Sequence, residues 1–228
     1  MESIREKAIH LGHTLEIKEP IKSGKEATVY RAILDGKGVA MKLYKPPEER
    51  TFRNTDAYLL GKFYKNTSER KAIKKKNTFG KKLLHANWIR REYFMLEKLF
   101  SLGASIPKPI LHIESAIFME LLGNETETAP RLCDMRFSED DASSTLDTVL
   151  ESMRIFWEFG IVHADLSEYN ILFWKGKPYI IDFPQAINRK EHPNAEEMLI
   201  RDLRNVMKFF RKFTEVDEEK VVEYILSR

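Results

Sequence analysis

Three polar side chains constrain this chain more than any other feature: Asp165, Asn170 five residues on, and Asp182 twelve residues beyond that. They stand in two blocks, His163-Ala164-Asp165-Leu166-Ser167-Glu168-Tyr169-Asn170 and Ile180-Ile181-Asp182-Phe183. Between them the runs 171–174 and 179–181, joined by Lys-Gly-Lys, read as two short strands. A hairpin of that length returns the chain to its starting point, so the three side chains are expected to meet at one end. Asp165 then suits a group that aligns an attacking hydroxyl and accepts its proton. Asn170 and Asp182 offer the hard oxygen ligands that Mg²⁺ takes. That is the equipment of phosphoryl transfer, where a protein orients an oxygen and holds a metal across phosphates. The plainer alternative is a polar loop with an unrelated aspartate near a strand end. The spacing, the flanking strands and a lysine far upstream argue against it.

That lysine is Lys42, in Val39-Ala40-Met41-Lys42. On an alternating strand, a lysine among apolar neighbours turns toward the interior, where its ammonium can meet phosphate oxygens. Alone, it reads better as a solvent-facing strand residue. It needs a carboxylate to hold it, and the helix expected over 87–102 offers Glu92, with Glu97 as competitor. Glu92 is favoured because the apolar Tyr93-Phe94-Met95-Leu96 run follows it. A solvated surface glutamate is the alternative.

A phosphate-binding turn is expected in Ile21-Lys22-Ser23-Gly24-Lys25-Glu26-Ala27-Thr28-Val29-Tyr30. It has one glycine and is not the G-x-x-x-x-G-K-[ST] loop. Ser23, Lys25 and backbone amides near Gly24 can still cradle phosphates through hydrogen bonds and charge. Taken alone, a one-glycine turn between strands is only a hairpin.

The rest of the chain orders itself around these points. A short helix is expected over 3–12, then strands over 16–21, 27–34 and 39–44, with a turn at Asp35-Gly36-Lys37-Gly38. Residues 48–85 are polar, basic and weakly periodic, and read as a long excursion. After the helix at 87–102 come strands over 110–113 and 116–121. The second half reads as helical, over 143–159, 195–213 and from 218 onward, with Gly160 as a C-terminal cap. The expected fold class is α+β. A strand-rich N-terminal lobe, 1–122, carries the basic insertion and one long helix. A helical C-terminal lobe, 123–228, carries the catalytic and metal-binding loops. Strand-rich lobe, linker, then helical lobe with a hairpin is the order of a protein kinase.

Composition adds three constraints. Cys133 is the sole cysteine, which excludes an internal disulfide framework, suits a reducing compartment and reads as a small packed side chain rather than a nucleophile. No stretch has the length of apolar residues a membrane span needs, so a cytoplasmic protein without membrane contact is expected. The net charge of +3 conceals an asymmetry: residues 62–91 hold eleven Lys/Arg and one acidic residue, Glu69, while the remainder carries 27 basic and 34 acidic residues. Lys71, Lys74, Lys75, Lys76, Lys81 and Lys82 interleave with Phe63, Tyr64, Phe79 and Trp88. Cations among aromatics suit an RNA backbone with unstacked bases. A solvated loop that is basic for solubility is the alternative. His85, His112 and His192 lack metal-ligand spacing and read as solvated or locally bonded.

Ser23-Gly24-Lys25-Glu26-Ala27-Thr28-Val29-Tyr30, the His163–Asn170 block and Ile181-Asp182-Phe183-Pro184-Gln185-Ala186, in that order, resemble the RIO family of atypical serine/threonine protein kinases over roughly residues 15–212. The resemblance implies a compact two-lobe kinase fold with ATPase and autophosphorylation activity, linked to maturation of the small ribosomal subunit. It implies ATP and Mg²⁺ as cofactors, with Mn²⁺ as the alternative ion, and ribosomal RNA or a pre-ribosomal particle as partner of the basic segment. By position, Lys42 would bind ATP phosphates, and Glu120 and Leu122 would offer backbone groups to adenine. Asp165 would be the catalytic acceptor, and Asn170 and Asp182 the metal ligands. Asp182 would also be the carboxylate that can receive phosphate as an aspartyl phosphate. The long basic insertion points to the first RIO subfamily, whereas Phe183-Pro184-Gln185 resembles the second.

The departures from ordinary kinases are specific. Ser167 stands where many have a lysine, and Pro184 replaces the glycine after Asp-Phe and restricts motion there. No Ala-Pro-Glu follows, and a long helix begins within about a dozen residues, so the fold is expected to be reduced, without an activation segment or peptide-docking helices. Two other functions fit the same residues: a small-molecule phosphotransferase of the aminoglycoside-kinase type, and an RNA-binding assembly factor that uses ATP as a switch.

Overall fold

The structure is a computed structural model that describes residues 1–46, 78–124 and 126–227. Most of the basic segment, residues 62–77, lies outside the described residues, as do the side chains of Phe79, Lys81 and Lys82. The expected RNA-binding surface falls mostly there, outside the described residues. The chain divides into two compact units, Met1–Met95 with Lys108–Leu121, and Leu96–Pro107 with Leu122–Arg228.

The first unit holds α1 (Glu2–His10), β1 (Leu15–Ser23), β2 (Ala27–Leu34), β3 (Lys37–Tyr44), most of α2 (Thr78–Ser101), β4 (Pro109–Ile113) and β5 (Ala116–Glu120). The strands form one antiparallel sheet in the order β1-β2-β3-β5-β4. Asp35 and Gly36 join β2 to β3 with φ of 49° and 76°, the pair of positive values that a two-residue hairpin of matching twist requires. Pro20 lacks an N–H and sits in edge strand β1, where the register shifts on both sides of it. Alternation along β3 sends successive side chains to opposite faces. Val39 and Met41 join Ile4 and Ala8 of α1 in one cluster with Ala116 and Phe118. Tyr44 joins Ile89 of α2 and Ile117 in the other. Lys42 shares the parity of Tyr44 and so faces α2.

α2 is a correction. The sequence predicts a helix from Asn87 and a loop up to residue 85, but helix begins at Thr78. His85 is consequently buried on its first turns and stacks on Trp88 with ring centroids 5.9 Å apart. It is not solvated. His112 and His192 are locally bonded, to the Glu114 carbonyl and the Asn194 N–H.

The second unit holds α3 (Glu139–Phe159), β6 (Ile161–Val162), β7 (Ile171–Trp174), β8 (Lys177–Ile180), β9 (Ile187–Asn188), α4 (Ala195–Phe210) and α5 (Glu218–Leu226). α3 starts four residues before the sequence places it. Ser138 caps it by accepting from the Asp141 N–H at 3.2 Å, and Gly160 ends it in the left-handed conformation. Three acidic residues occupy its first turn, where the helix dipole favours them. Its buried face carries Leu146, Val149, Leu150, Met153 and Phe156 at helical spacing. β7 and β8 pair across a turn at Lys175-Gly176, with Ile171 opposite Ile180. β6 pairs with β9 over two residues each, too few for any periodicity to register in sequence. α4 ends at Phe210, three residues early, and begins thirteen residues after Asp182. The described architecture is α+β and has the reduced form of a kinase-like fold. Among the described residues, no helix is long and apolar enough to cross a membrane.

Candidate active site

Each unit carries its own group of candidate residues. In the first, Lys42 donates from Nζ to Glu92 Oε1 at 2.9 Å. Both side chains are buried, at 9% and 4% exposure, so the ammonium has exchanged water for a carboxylate. Glu97 is exposed. Glu92 lies on α2 because Ile89 fills the sheet-facing pocket and Glu92 follows three residues later on the same face. The Lys42 ammonium also stands 5.1 Å from the centroid of the Tyr44 ring. Trp88 meets that ring edge-on at 4.9 Å. Glu92 Oε2 is buried without a hydrogen-bond partner among the described residues, an orphaned acceptor beside the cation that would hold phosphate.

The turn before β2 is closed from within. Gly24 N–H donates to the Ala27 carbonyl at 2.9 Å, and the hydroxyls of Ser23 and Thr28 are 3.2 Å apart. The Gly24 amide, expected to be free for a phosphate, is thus engaged. Lys25 is exposed at the tip. Glu120 ends β5 with its N–H given to the Lys108 carbonyl at 2.8 Å. In the second unit the Leu122 carbonyl accepts from Ala129 N–H at 2.9 Å. Gly123, with φ of 147°, follows it, and a Cβ there would stand 2.3 Å from the Glu127 carbonyl oxygen.

The residues of the two blocks meet within the second unit. The ladder of β7 and β8 extends one step, because Ile181 N–H donates to the Asn170 carbonyl at 2.9 Å. That bond sets Asn170 beside the residue preceding Asp182. His163 Nε2 lies 3.1 Å from the Ile181 carbonyl and ties the start of the same loop to the same strand end. Phe183 is buried against Phe156 and the His163 ring, at centroid distances of 5.4 and 4.7 Å, and anchors the chain just after Asp182. Asp182 is exposed with φ of 72°, a left-handed conformation that costs a non-glycine residue energy.

Asn170 donates from Nδ2 to the Asp165 carbonyl at 2.8 Å. Its amide nitrogen is committed to the loop, which leaves Oδ1 as the free, hard donor. The donor set of one amide oxygen and one carboxylate fits Mg²⁺, which binds through few protein ligands and completes its shell with water and phosphate oxygens. The Asp165 carboxyl titrates above the usual carboxylate range, chiefly because it is partly withdrawn from water and then because the Asp182 charge repels its own.

Sequence reasoning missed Asp202. Its carboxylate, on α4, is fully buried and accepts from Ala164 N–H at 2.7 Å and Leu166 N–H at 3.1 Å, the amides on either side of Asp165. Ala164 has φ of 65°, which aims its N–H inward. Burial pushes the Asp202 carboxyl up to about 6, against the lowering pull of those two amides and of Arg201. Asn205 adds a donor to the Leu166 carbonyl at 3.1 Å, and Arg201 Nη2 donates to the Ala164 carbonyl. One signal was present in the sequence: an aspartate within the apolar stripe of Leu199, Leu203 and Val206. A charge on a core-facing stripe needs buried partners.

A kinase-like fold with this loop, this strand end and this lysine–glutamate pair defines a class, and the comparisons give the family. The model of the RIO domain matches residues 28–223, and the chain belongs to the RIO family of serine/threonine-protein kinases. It is 35% identical to the RIO-type serine/threonine-protein kinase Rio1 of Haloferax volcanii, over 96% of this chain and 72% of that protein. It is 36% identical to the Rio1 kinase of Thermoplasma acidophilum, over 88% of this chain and the whole of that protein. It is 32% identical to the human serine/threonine-protein kinase RIO1, over 90% of this chain but 35% of the relative. The chain therefore spans the whole of the Thermoplasma protein, about seven tenths of the Haloferax protein and about a third of the human one. As a kinase of this family it takes ATP as its phosphate donor.

Proposed function

We propose that this chain transfers the γ-phosphate of ATP to serine or threonine hydroxyls, its own included, and to water. In this reading Lys42, held by Glu92, binds phosphate oxygens with help from Ser23 and Lys25, and Glu120 and Leu122 offer backbone groups to adenine. Asn170 and Asp182 hold Mg²⁺, which would supply charge neutralisation on the phosphates. Asp165 aligns the attacking hydroxyl and accepts its proton, a task that the upward shift of its carboxyl suits. The observation that carries this reading is the double tie of residue 181 to the loop, through the Asn170 carbonyl and His163, which sets Asp182 next to Asn170.

Two finer features belong to the same proposal. Asp182, exposed and fixed in its left-handed conformation, is the carboxylate that can take the phosphoryl group as an aspartyl phosphate. Segment 62–91, with its eleven cations, would bring the kinase to ribosomal RNA or a pre-ribosomal particle during maturation of the small subunit. The test is incubation with ATP labelled at the γ-phosphate and Mg²⁺. Label is expected on the protein and as free phosphate, and Asp165→Ala should abolish both. Label that moves only to a small alcohol would assign a small-molecule phosphotransferase instead. Tight ATP binding without turnover would assign a nucleotide-switched binding module. Removal of residues 62–82 should weaken RNA binding and spare ATP binding.

A further inference from the structure

We infer that Arg201 binds the phosphoryl oxygens of the group in transfer and supplies the positive charge that the Asp165 loop lacks. The inference rests on the reading of Asp165 given above and adds a residue to it. Residues 163–170 contain no lysine or arginine, yet they present Asp165 and stand beside Asp182, so the loop offers negative charge to a reaction that gathers more of it. Arg201 reaches this loop from α4. Its Nη2 donates to the carbonyl of Ala164, the residue directly before Asp165. Its charge bears on the Asp165 carboxyl, where it opposes the effect of Asp182.

The guanidinium is not consumed by its surroundings. It has five N–H donors, and the Ala164 carbonyl takes one of them. Its nearest carboxylate oxygen, Asp202 Oδ1, is 3.9 Å away and is already held by the Leu166 N–H. The side chain is 55% exposed, whereas its neighbour Asp202 is 1% exposed. α4 thus delivers two adjacent side chains with different tasks. Asp202 grips the backbone from inside, and Arg201 turns its remaining donors toward solvent beside the reacting carboxylate. A planar fork of donors matches the oxygens of a phosphoryl group better than a point charge does.

In the step itself, the acceptor hydroxyl oxygen forms a bond to the γ-phosphorus and its proton passes to the Asp165 carboxylate. The bond from the γ-phosphorus to the β–γ bridging oxygen breaks, and ADP leaves with that electron pair. Charge accumulates on the three equatorial oxygens during this exchange, and a guanidinium placed against them lowers the barrier without tightening ATP binding.

The test is a comparison of Arg201→Ala, Arg201→Gln and Arg201→Lys in the full chain, with ATP-Mg²⁺ turnover and autophosphorylation measured against wild type. Arg201→Ala is expected to lower kcat roughly 10- to 100-fold and to leave KM for ATP within about threefold. Gln keeps a donor for the Ala164 carbonyl but no charge, and Lys keeps the charge. Arg201→Gln should therefore be as slow as Arg201→Ala, and Arg201→Lys should recover most of the rate. Recovery by Gln to the level of Lys would show that Arg201 only positions the loop, and would overturn the inference. So would a rise in KM with unchanged kcat, which reports ground-state ATP binding. If wild type transfers no phosphate, the underlying kinase reading has failed. If wild type is active, Asp165→Ala is dead and Arg201→Ala is as fast as wild type, only the role of Arg201 has failed.

Discussion

Lys42 and Glu92, fifty residues apart in sequence, form a buried ion pair at 2.9 Å, and the second Glu92 carboxylate oxygen is buried without a hydrogen-bond partner among the described residues. Removal of Glu92 takes this carboxylate away from an ammonium that stays inside the protein. Glu92→Ala should therefore destabilise the protein by about 3–5 kcal/mol, measured by urea unfolding. The double variant Lys42→Met, Glu92→Leu should recover most of that loss, since apolar side chains of similar volume replace a pair whose desolvation was costly. It should nonetheless bind ATP poorly. A double variant no more stable than Glu92→Ala would show that the pair, not its unpaired remainder, supplies the stability.

Asp202 makes stability depend on pH in an unusual direction. Its carboxyl is pushed up to about 6 in the folded protein and titrates near about 3.9 when exposed to water. Between those values the folded state holds a proton that the unfolded state has lost. Its contribution is full below about pH 4 and is lost as pH rises to about 6. Relative to Asp202→Asn, wild type should lose up to about 3 kcal/mol across that window and nothing further above it. Urea midpoints of both proteins at several pH values check this, and a constant difference would deny it. Asp202→Asn should also slow turnover, because a neutral amide cannot accept from both Ala164 and Leu166 as the carboxylate does.

Alternation along β3 made the orientation of Lys42 legible, since Val39 and Met41 had to fill one face and left the even positions for the other. Strands with a strong period and glycine turns, such as β2 and β7, were legible to the residue. The start of α2 was not: Gly80 and two lysines break up Phe79, Leu83 and Leu84, and the burial of His85 against Trp88 leaves no trace in that pattern. The tie between residue 181 and Asn170 follows from hairpin geometry and could be anticipated. The grip of Asp202 could not be located by spacing, because 36 and 38 residues separate it from its partners. Only its misplacement on an apolar stripe betrayed it. Long-range backbone contacts leave no local pattern, and a lone buried charge is their remaining sign.

Gly123 tests how tightly the segment after β5 is built. With φ of 147° and a Cβ clash at 2.3 Å with the Glu127 carbonyl oxygen, Gly123→Ala has no room and a backbone it does not favour. The variant should lose about 1–3 kcal/mol, read as a fall in Tm of about 2–4 °C for each kcal/mol. Since Leu122 and Ala129 pair across this turn, nucleotide affinity should fall with stability. Unchanged stability would mean that the backbone relaxes freely here.

Asp182 allows fold and chemistry to be separated in one variant. Its φ of 72° is a conformation that asparagine tolerates better than most residues, and its carboxylate is exposed. Asp182→Asn should therefore leave Tm unchanged within about 2 °C, since asparagine keeps the backbone conformation and the shape of the side chain. The proposed Mg²⁺ site, however, loses its charged ligand and keeps only neutral amide oxygens from Asn170 and the new residue, so the Mg²⁺ concentration for half-maximal turnover should rise by about tenfold or more. Autophosphorylation and ATP hydrolysis should fall together. The Asp165 carboxyl, relieved of its neighbour's negative charge, should titrate lower than in wild type, so the acid limb of any residual pH profile shifts to lower pH. A variant that melts early would place Asp182 in the fold rather than the reaction, and one with normal Mg²⁺ dependence would remove it from the metal.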